Sequence, residues 1–224
     1  MAQTAPRPRK ASAGKSTLRQ PLQSRSREST EALLEIGRQV IEKRGVDNCS
    51  MNEVAAAAGS SVGALYFRFG NKERFVREVL QRQIGATRAQ VSNFLAETEV
   101  AATSPSAVIE AVVKWFVLEY GRNQGLLRAQ IRRALDDPRE WQPFQKIGRE
   151  LIDGAVRILQ RFPAVTQDKE WQRRVRIAMQ IVLGTLNNMV INRPGPLELT
   201  DKAASDELSQ IAIRYLRWDS PGKR

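Results

Sequence analysis

Residues 50–72, SMNEVAAAAGSSVGALYFRFGNK, constrain the fold more than any other part of the chain. Ser50 is placed to cap a short helix by accepting the backbone N–H of Glu53, and Glu53 is placed to reach back to the N–H of Ser50, a capping box. Residues 54–58 are Val and Ala, small enough to let a second helix approach closely. Gly59 stands where a helix must stop and the chain can take positive φ. Ser60 and Ser61 are the next N-cap candidates, residues 62–69 read as a second short helix, and Asn71 caps a third that starts at Lys72. A helix, a turn carrying Gly and a helix form the helix-turn-helix pattern, whose second helix enters the major groove of DNA.

The run Gly59-Ser60-Ser61-Val62-Gly63-Ala64-Leu65-Tyr66-Phe67-Arg68-Phe69, then Lys72-Glu73, resembles the signature of the tetracycline-repressor-like (TetR) family of transcription regulators. The spacing of Leu33, Ile36, Val40, Ile41 and Gly45 and the triplet Glu53-Val54-Ala55 also fit, so the resemblance spans about residues 27–79. Three positions depart from the family pattern. Ser60 replaces a common aliphatic residue, Arg68 a usual His, and Thr30 a frequent Arg. Arg68 keeps a phosphate donor and removes any pH dependence from it.

Composition narrows the alternatives. The 224 residues are 42% hydrophobic, which supports a packed core. With one Cys and no His, metal chemistry has almost no ligands, and Cys49 cannot form an internal disulfide. No apolar run follows the basic N-terminus, so no signal peptide is expected. The longest apolar stretch without charge, residues 177–192, is short for a bilayer and carries Gln180, Asn187 and Asn188. The net charge of +12 favours a polyanionic partner. It is unevenly spread: residues 1–26 hold six basic and no acidic side chains, whereas residues 27–75 hold seven of each sign. DNA affinity is therefore expected from placed donors and from the N-terminal arm.

Along the chain, residues 1–26 lack apolar periodicity and read as a disordered basic arm, either a solvated tail or a segment that contacts phosphates or the minor groove. A helix over about 26–44 follows, ended by Gly45, and residues 27–75 are expected to form the DNA-binding domain. A long helix over about 73–97 leads into residues 76–224, the expected ligand-binding and dimerisation domain. Further helices are expected over about 106–122, 124–136, 138–162, 167–192 and 201–218, with Pro143 delaying or kinking the third of these. Strand alternation is absent, so the fold class is all-α, with about nine helices: an N-terminal three-helix unit followed by a larger bundle.

Leu65 and Phe69 read as core of the recognition helix. The family register implies that Val62, Ala64 and Phe67 face the groove, where apolar side chains can touch thymine methyl groups but cannot hydrogen-bond base edges. Gly63 would let the backbone approach DNA, or serves packing alone. Direct readout by this helix is therefore thin, and Ser60, Ser61 and the N-terminal arm, or DNA shape, are expected to add specificity. Tyr66, Arg68 and Lys72 resemble the family's phosphate contacts, and Ser50 supplies a further donor. The resemblance also implies an effector pocket in the C-terminal bundle, placed near Trp115, Phe116, Tyr120, Trp141 and Phe144. Aromatics at helical spacing are more often core than ligand box. It implies a dimer interface on the last two long helices, for which Ile181, Leu186, Met189, Leu208, Ile211 and Tyr215 supply apolar faces.

The leading expectation is a homodimeric, ligand-responsive regulator, a repressor, without enzymatic activity or cofactor. Its expected partners are a partly palindromic double-stranded operator, a second copy of the chain and an apolar or aromatic small molecule, with no membrane. Its expected location is the cytoplasm, on the bacterial nucleoid. The alternative is an architectural or non-specific nucleic-acid-binding protein that uses the basic arm and has no effector.

Overall fold

The computed structural model describes residues 19–163, 165 and 168–216, with side chains from residue 28 onward. Within these the fold is all-α: α1 (Arg19–Asn48), α2 (Met51–Ala57), α3 (Val62–Phe69), α4 (Lys72–Ala101), α5 (Pro105–Arg122), α6 (Gln124–Asp136), α7 (Gln142–Leu159), α8 (Lys169–Asn192) and α9 (Lys202–Leu216), with a 3-10 turn over Pro138–Trp141.

Several boundaries follow from local chemistry. Ser104, Asp168 and Asn71 cap α5, α8 and α4 by accepting N–H groups three residues on. Pro143 sits in the first turn of α7, where no N–H is needed, so the expected single helix over 138–162 is a 3-10 turn followed by α7. Gly45 breaks α1 with φ +78°, where the helix was expected to end. The beginning of α1 differs from expectation. Backbone at residues 19–26 is helical and continues into α1, which therefore begins earlier than expected; Pro21 falls in the first turn, which tolerates it. The rest of the arm, residues 1–18, and the expected end of the last helix at Trp218 lie outside the described residues.

Two hydrophobic clusters organise the packing. The first gathers Leu33, Leu34 and Ile41 of α1, Val54 and Ala55 of α2, Leu65 and Phe69 of α3, and Phe75, Val76, Val79 and Leu80 of α4. It is completed by Leu126 from α6, more than 40 residues beyond. The second cluster lies among α5, α7, α8 and α9 around Val112, Leu151, Val175, Leu186 and Leu208, with Val91 of α4.

Polar contacts bind the first unit to its neighbours. Arg82 of α4 pairs with Glu31 at 2.6 Å and Glu35 at 2.8 Å on α1. Hydrogen bonding from Arg38, supported by Arg82, holds the Glu35 carboxyl down at about 2, well below the ordinary carboxylate range. At the other end of α1, Glu42 receives the N–H of Gly125 at 2.9 and 3.0 Å and of Leu126 at 3.2 Å, placing a carboxylate on the first turn of α6. The absent side chain of Gly125 makes this approach possible: a Cβ there would lie 2.6 Å from the Glu42 carbonyl oxygen.

Candidate DNA interface and ligand cavity

The turn between α2 and α3 is a Schellman closure. Ser60 N–H donates to Ala55 O at 2.9 Å and Gly59 N–H to Ala56 O at 3.2 Å, with Gly59 at φ +59°. Ser61 is the N-cap of α3, its Oγ accepting Ala64 N–H at 3.1 Å, while Ser60 belongs to the turn. Ser50 caps α2 through Glu53 N–H at 3.1 Å. The expected return bond is replaced by an ion pair: the Glu53 carboxylate meets Arg44 Nε at 2.7 Å, tying α2 to the end of α1. The charged partner offers a stronger bond than a neutral backbone N–H.

Leu65 and Phe69 are buried, and the Phe69 ring meets Phe75 of α4 edge-on at 5.0 Å. This fixes which face of α3 turns outward. Val62 is half-buried, and Gly63, Ala64, Tyr66, Phe67 and Arg68 are exposed, Phe67 at 95%. A Cβ at Gly63 would meet nothing nearer than Ser61 Oγ at 4.0 Å, so internal packing does not require glycine there. Arg68 donates to Ser29 Oγ at 3.2 Å and Thr30 Oγ1 at 2.9 Å, and Lys72 to Asp47 O at 3.2 Å. These bonds orient each cation while leaving it further donors. Cys49 is buried, which pushes its thiol up and away from reactivity.

Trp115, Phe116, Tyr120, Trp141 and Phe144 all line one cavity of about 520 Å³. Its walls come from α4, α5, α6, the 3-10 turn, α7 and α8. Trp141 and Phe144 stack at 5.1 Å with planes 12° apart. Sequence reasoning missed the polar part of the wall. Gln83 donates to Thr87 Oγ1 at 3.2 Å, and Thr87 and Asn123 both donate to Glu119 Oε1, at 3.1 and 2.8 Å. Tyr120 donates to Asn187 Oδ1 at 3.0 Å, and burial pushes its phenol up, so that it remains a neutral donor. The four-residue step from Glu119 to Asn123 was the one local signal; Thr87 and Asn187 reach the cavity from distant helices. Among the described residues no cluster of three or more His, Cys, Asp or Glu could hold a metal ion, and no helix is long and apolar enough to cross a membrane.

The six interface candidates divide. Ile181, Ile211 and Tyr215 are exposed, but Leu186, Met189 and Leu208 are buried in the protomer's own core and cannot form a surface. Each helix carries two apolar stripes about one residue apart: on α9, Leu208 and Ala212 turn inward while Ile211 and Tyr215 turn outward.

Residues 33–79 match the family described as bacterial regulatory proteins, tetR family. No curated protein matches the chain in sequence. Solved structures share its fold. One is a TetR-family transcriptional regulator from Mesorhizobium loti (17% identity, covering 86% of this chain and 95% of that one, TM-score 0.66). Another is from Streptomyces coelicolor (17%, 84% and 79%, TM-score 0.63), and a transcriptional regulator from Cytophaga hutchinsonii is similar (17%, 84% and 96%, TM-score 0.62). Residues 33–79 thus carry the helix-turn-helix of the tetR family, and the described residues share the fold of solved TetR-family regulators.

Proposed function

We propose that the protein is a homodimeric repressor that binds a partly palindromic operator through α3 and releases it when a small molecule fills the cavity. Residues 27–75 form the DNA-binding domain and residues 76–224 the effector and dimerisation domain. One observation carries the reading: α4 contributes Leu80, Gln83 and Thr87 to the cavity and Phe75 to the seat of Phe69 on the recognition helix. A ligand that displaces α4 therefore acts on α3 through packed side chains. A second route runs through α6, which lends Leu126 and Leu127 to the cavity and docks on α1 at Glu42. Two half-sites roughly one turn of DNA apart, or a multiple of it, tolerate little change in the spacing of two recognition helices. Linkage requires DNA to weaken ligand binding by the factor by which ligand weakens DNA binding. The decisive experiment maps the DNA protected upstream of the protein's own gene, then measures effector affinity with and without that fragment. Equal affinities would exclude effector-controlled release.

In this reading Ser50, Ser60, Ser61, Tyr66, Arg68 and Lys72 contact phosphates or the groove rim, and Val62, Gly63, Ala64 and Phe67 face the bases. Arg68→Ala and Lys72→Ala are each expected to weaken binding evenly across sequences and to lower the salt slope by about 0.9. Binding isotherms at several salt concentrations check this; an altered base preference with an unchanged slope would remove the phosphate assignment.

The outward stripes of α8 and α9 form the dimer contact. Ile181→Glu combined with Ile211→Glu is expected to yield a folded monomer, because both side chains are exposed in the protomer and their charges remain solvated when it stands alone. Light scattering should give the mass of one chain for the variant and two for the parent, with equal helical circular dichroism.

A further inference from the structure

Glu119 has an unusual place in the cavity. It stands on the face of α5 that also carries Trp115, in a wall that includes Phe116, Trp141 and Phe144 beside neutral polar side chains such as Gln83, Gln180 and Asn187. Both donors that reach its carboxylate, from Thr87 and Asn123, end on Oε1. Both donor residues are themselves buried, each 8% exposed, which fixes that oxygen and turns Oε2 free of protein donors. No Lys or Arg among the described residues forms an ion pair with Glu119. The other charged residues of the wall are Arg149 and Arg176. Both are exposed, and Arg176 is already engaged by Asp153 at 2.9 Å. The carboxylate thus stands between this cavity and a smaller hollow lined by Gln90, Glu97 and Arg122, without an ion pair, and the cavity's own cations lie on the solvent side.

A carboxylate partly withdrawn from water without a counter-charge is unfavourable, and a ligand that brings the charge removes that cost. Aromatic faces favour a cation for a second reason, through the ring quadrupole. The volume suits a drug-sized molecule. We infer that the ligand is an organic cation with an aromatic or bulky apolar body, and that Glu119 Oε2 is its counter-charge. This rests on the cavity being the effector site and adds the charge class of what enters it.

The test uses the full chain and three probes of similar size: tetraphenylphosphonium, a cation; tetraphenylborate, its anionic counterpart; and triphenylphosphine oxide, which is neutral. Calorimetry and quenching of tryptophan fluorescence report binding. Tetraphenylphosphonium is expected to bind at least about tenfold more tightly than tetraphenylborate, a modest factor for a charge pair that is not fully buried. Glu119→Gln, which keeps an acceptor for Thr87 and Asn123, should remove about that factor for the cation and leave the neutral probe unchanged. Equal or tighter binding of the anion, or a cation affinity indifferent to Glu119→Gln, overturns the inference and leaves the effector cavity standing. Failure of all three probes to bind overturns both. The comparison of the two ions on the parent protein decides the matter even where the variant folds poorly.

Discussion

Leu208→Glu is expected to destabilise the protomer by on the order of 3–5 kcal/mol, because it places a carboxylate without a partner inside an apolar core. Leu208 is 4% exposed and belongs to the cluster that joins α9 to α5 and α8. For a chain of this size such a loss lowers the thermal midpoint by roughly 6–20 °C. The contrast with Ile211, three residues away and 52% exposed, makes the measurement informative. A charge at 211 should change the mass in solution and spare the fold; a charge at 208 should damage the fold itself. A thermal melt of the two single variants separates the stripes. Equal midpoints would mean that the inward and outward faces of α9 have been misassigned.

Gly125→Ala is expected to cost about 1–3 kcal/mol, against the usual benefit of replacing a helical glycine. The added Cβ would stand 2.6 Å from Glu42 O, 2.8 Å from Glu42 Cα and 2.9 Å from Ile41 O. These are backbone atoms of α1 and cannot swing aside as a side chain does, so α6 must back away. Retreat lengthens the bonds from Gly125 and Leu126 to the Glu42 carboxylate and leaves two N–H groups less well satisfied. Gly85→Ala is the control. It lies in α4 with nothing within 4 Å of its Cβ, and should be neutral or stabilising by up to about 1 kcal/mol. Chemical denaturation of the two variants beside the parent gives the sign of each change.

The parts of the fold legible in the sequence are those whose causes are local. Ser50, Ser61 and Asn71 cap helices by accepting N–H groups three residues on, and Gly45 and Gly59 take positive φ, so the helix-turn-helix could be drawn with its boundaries nearly correct. The aromatic residues around Trp115 were also within reach, since the resemblance pointed to the bundle. The polar wall was not, because Thr87 and Glu119 meet across 32 positions. Nor could periodicity tell Leu186, Met189 and Leu208 from Ile181, Ile211 and Tyr215: two apolar stripes on one helix look alike until the neighbouring helices are in place. The docking of Gly125 on Glu42 spans 83 positions and leaves no trace in either segment alone.

Leu126 extends that last point beyond stability. Its side chain, 2% exposed, completes the hydrophobic cluster of the first four helices although it arrives on α6. A chain cut after α4 would leave a hole where Leu126 sits and a carboxylate, Glu42, with no amide to receive. The first helices are therefore not an interchangeable reading head. Grafting them onto the bundle of another regulator would require the recipient's sixth helix to bring its own glycine and its own leucine in the same register.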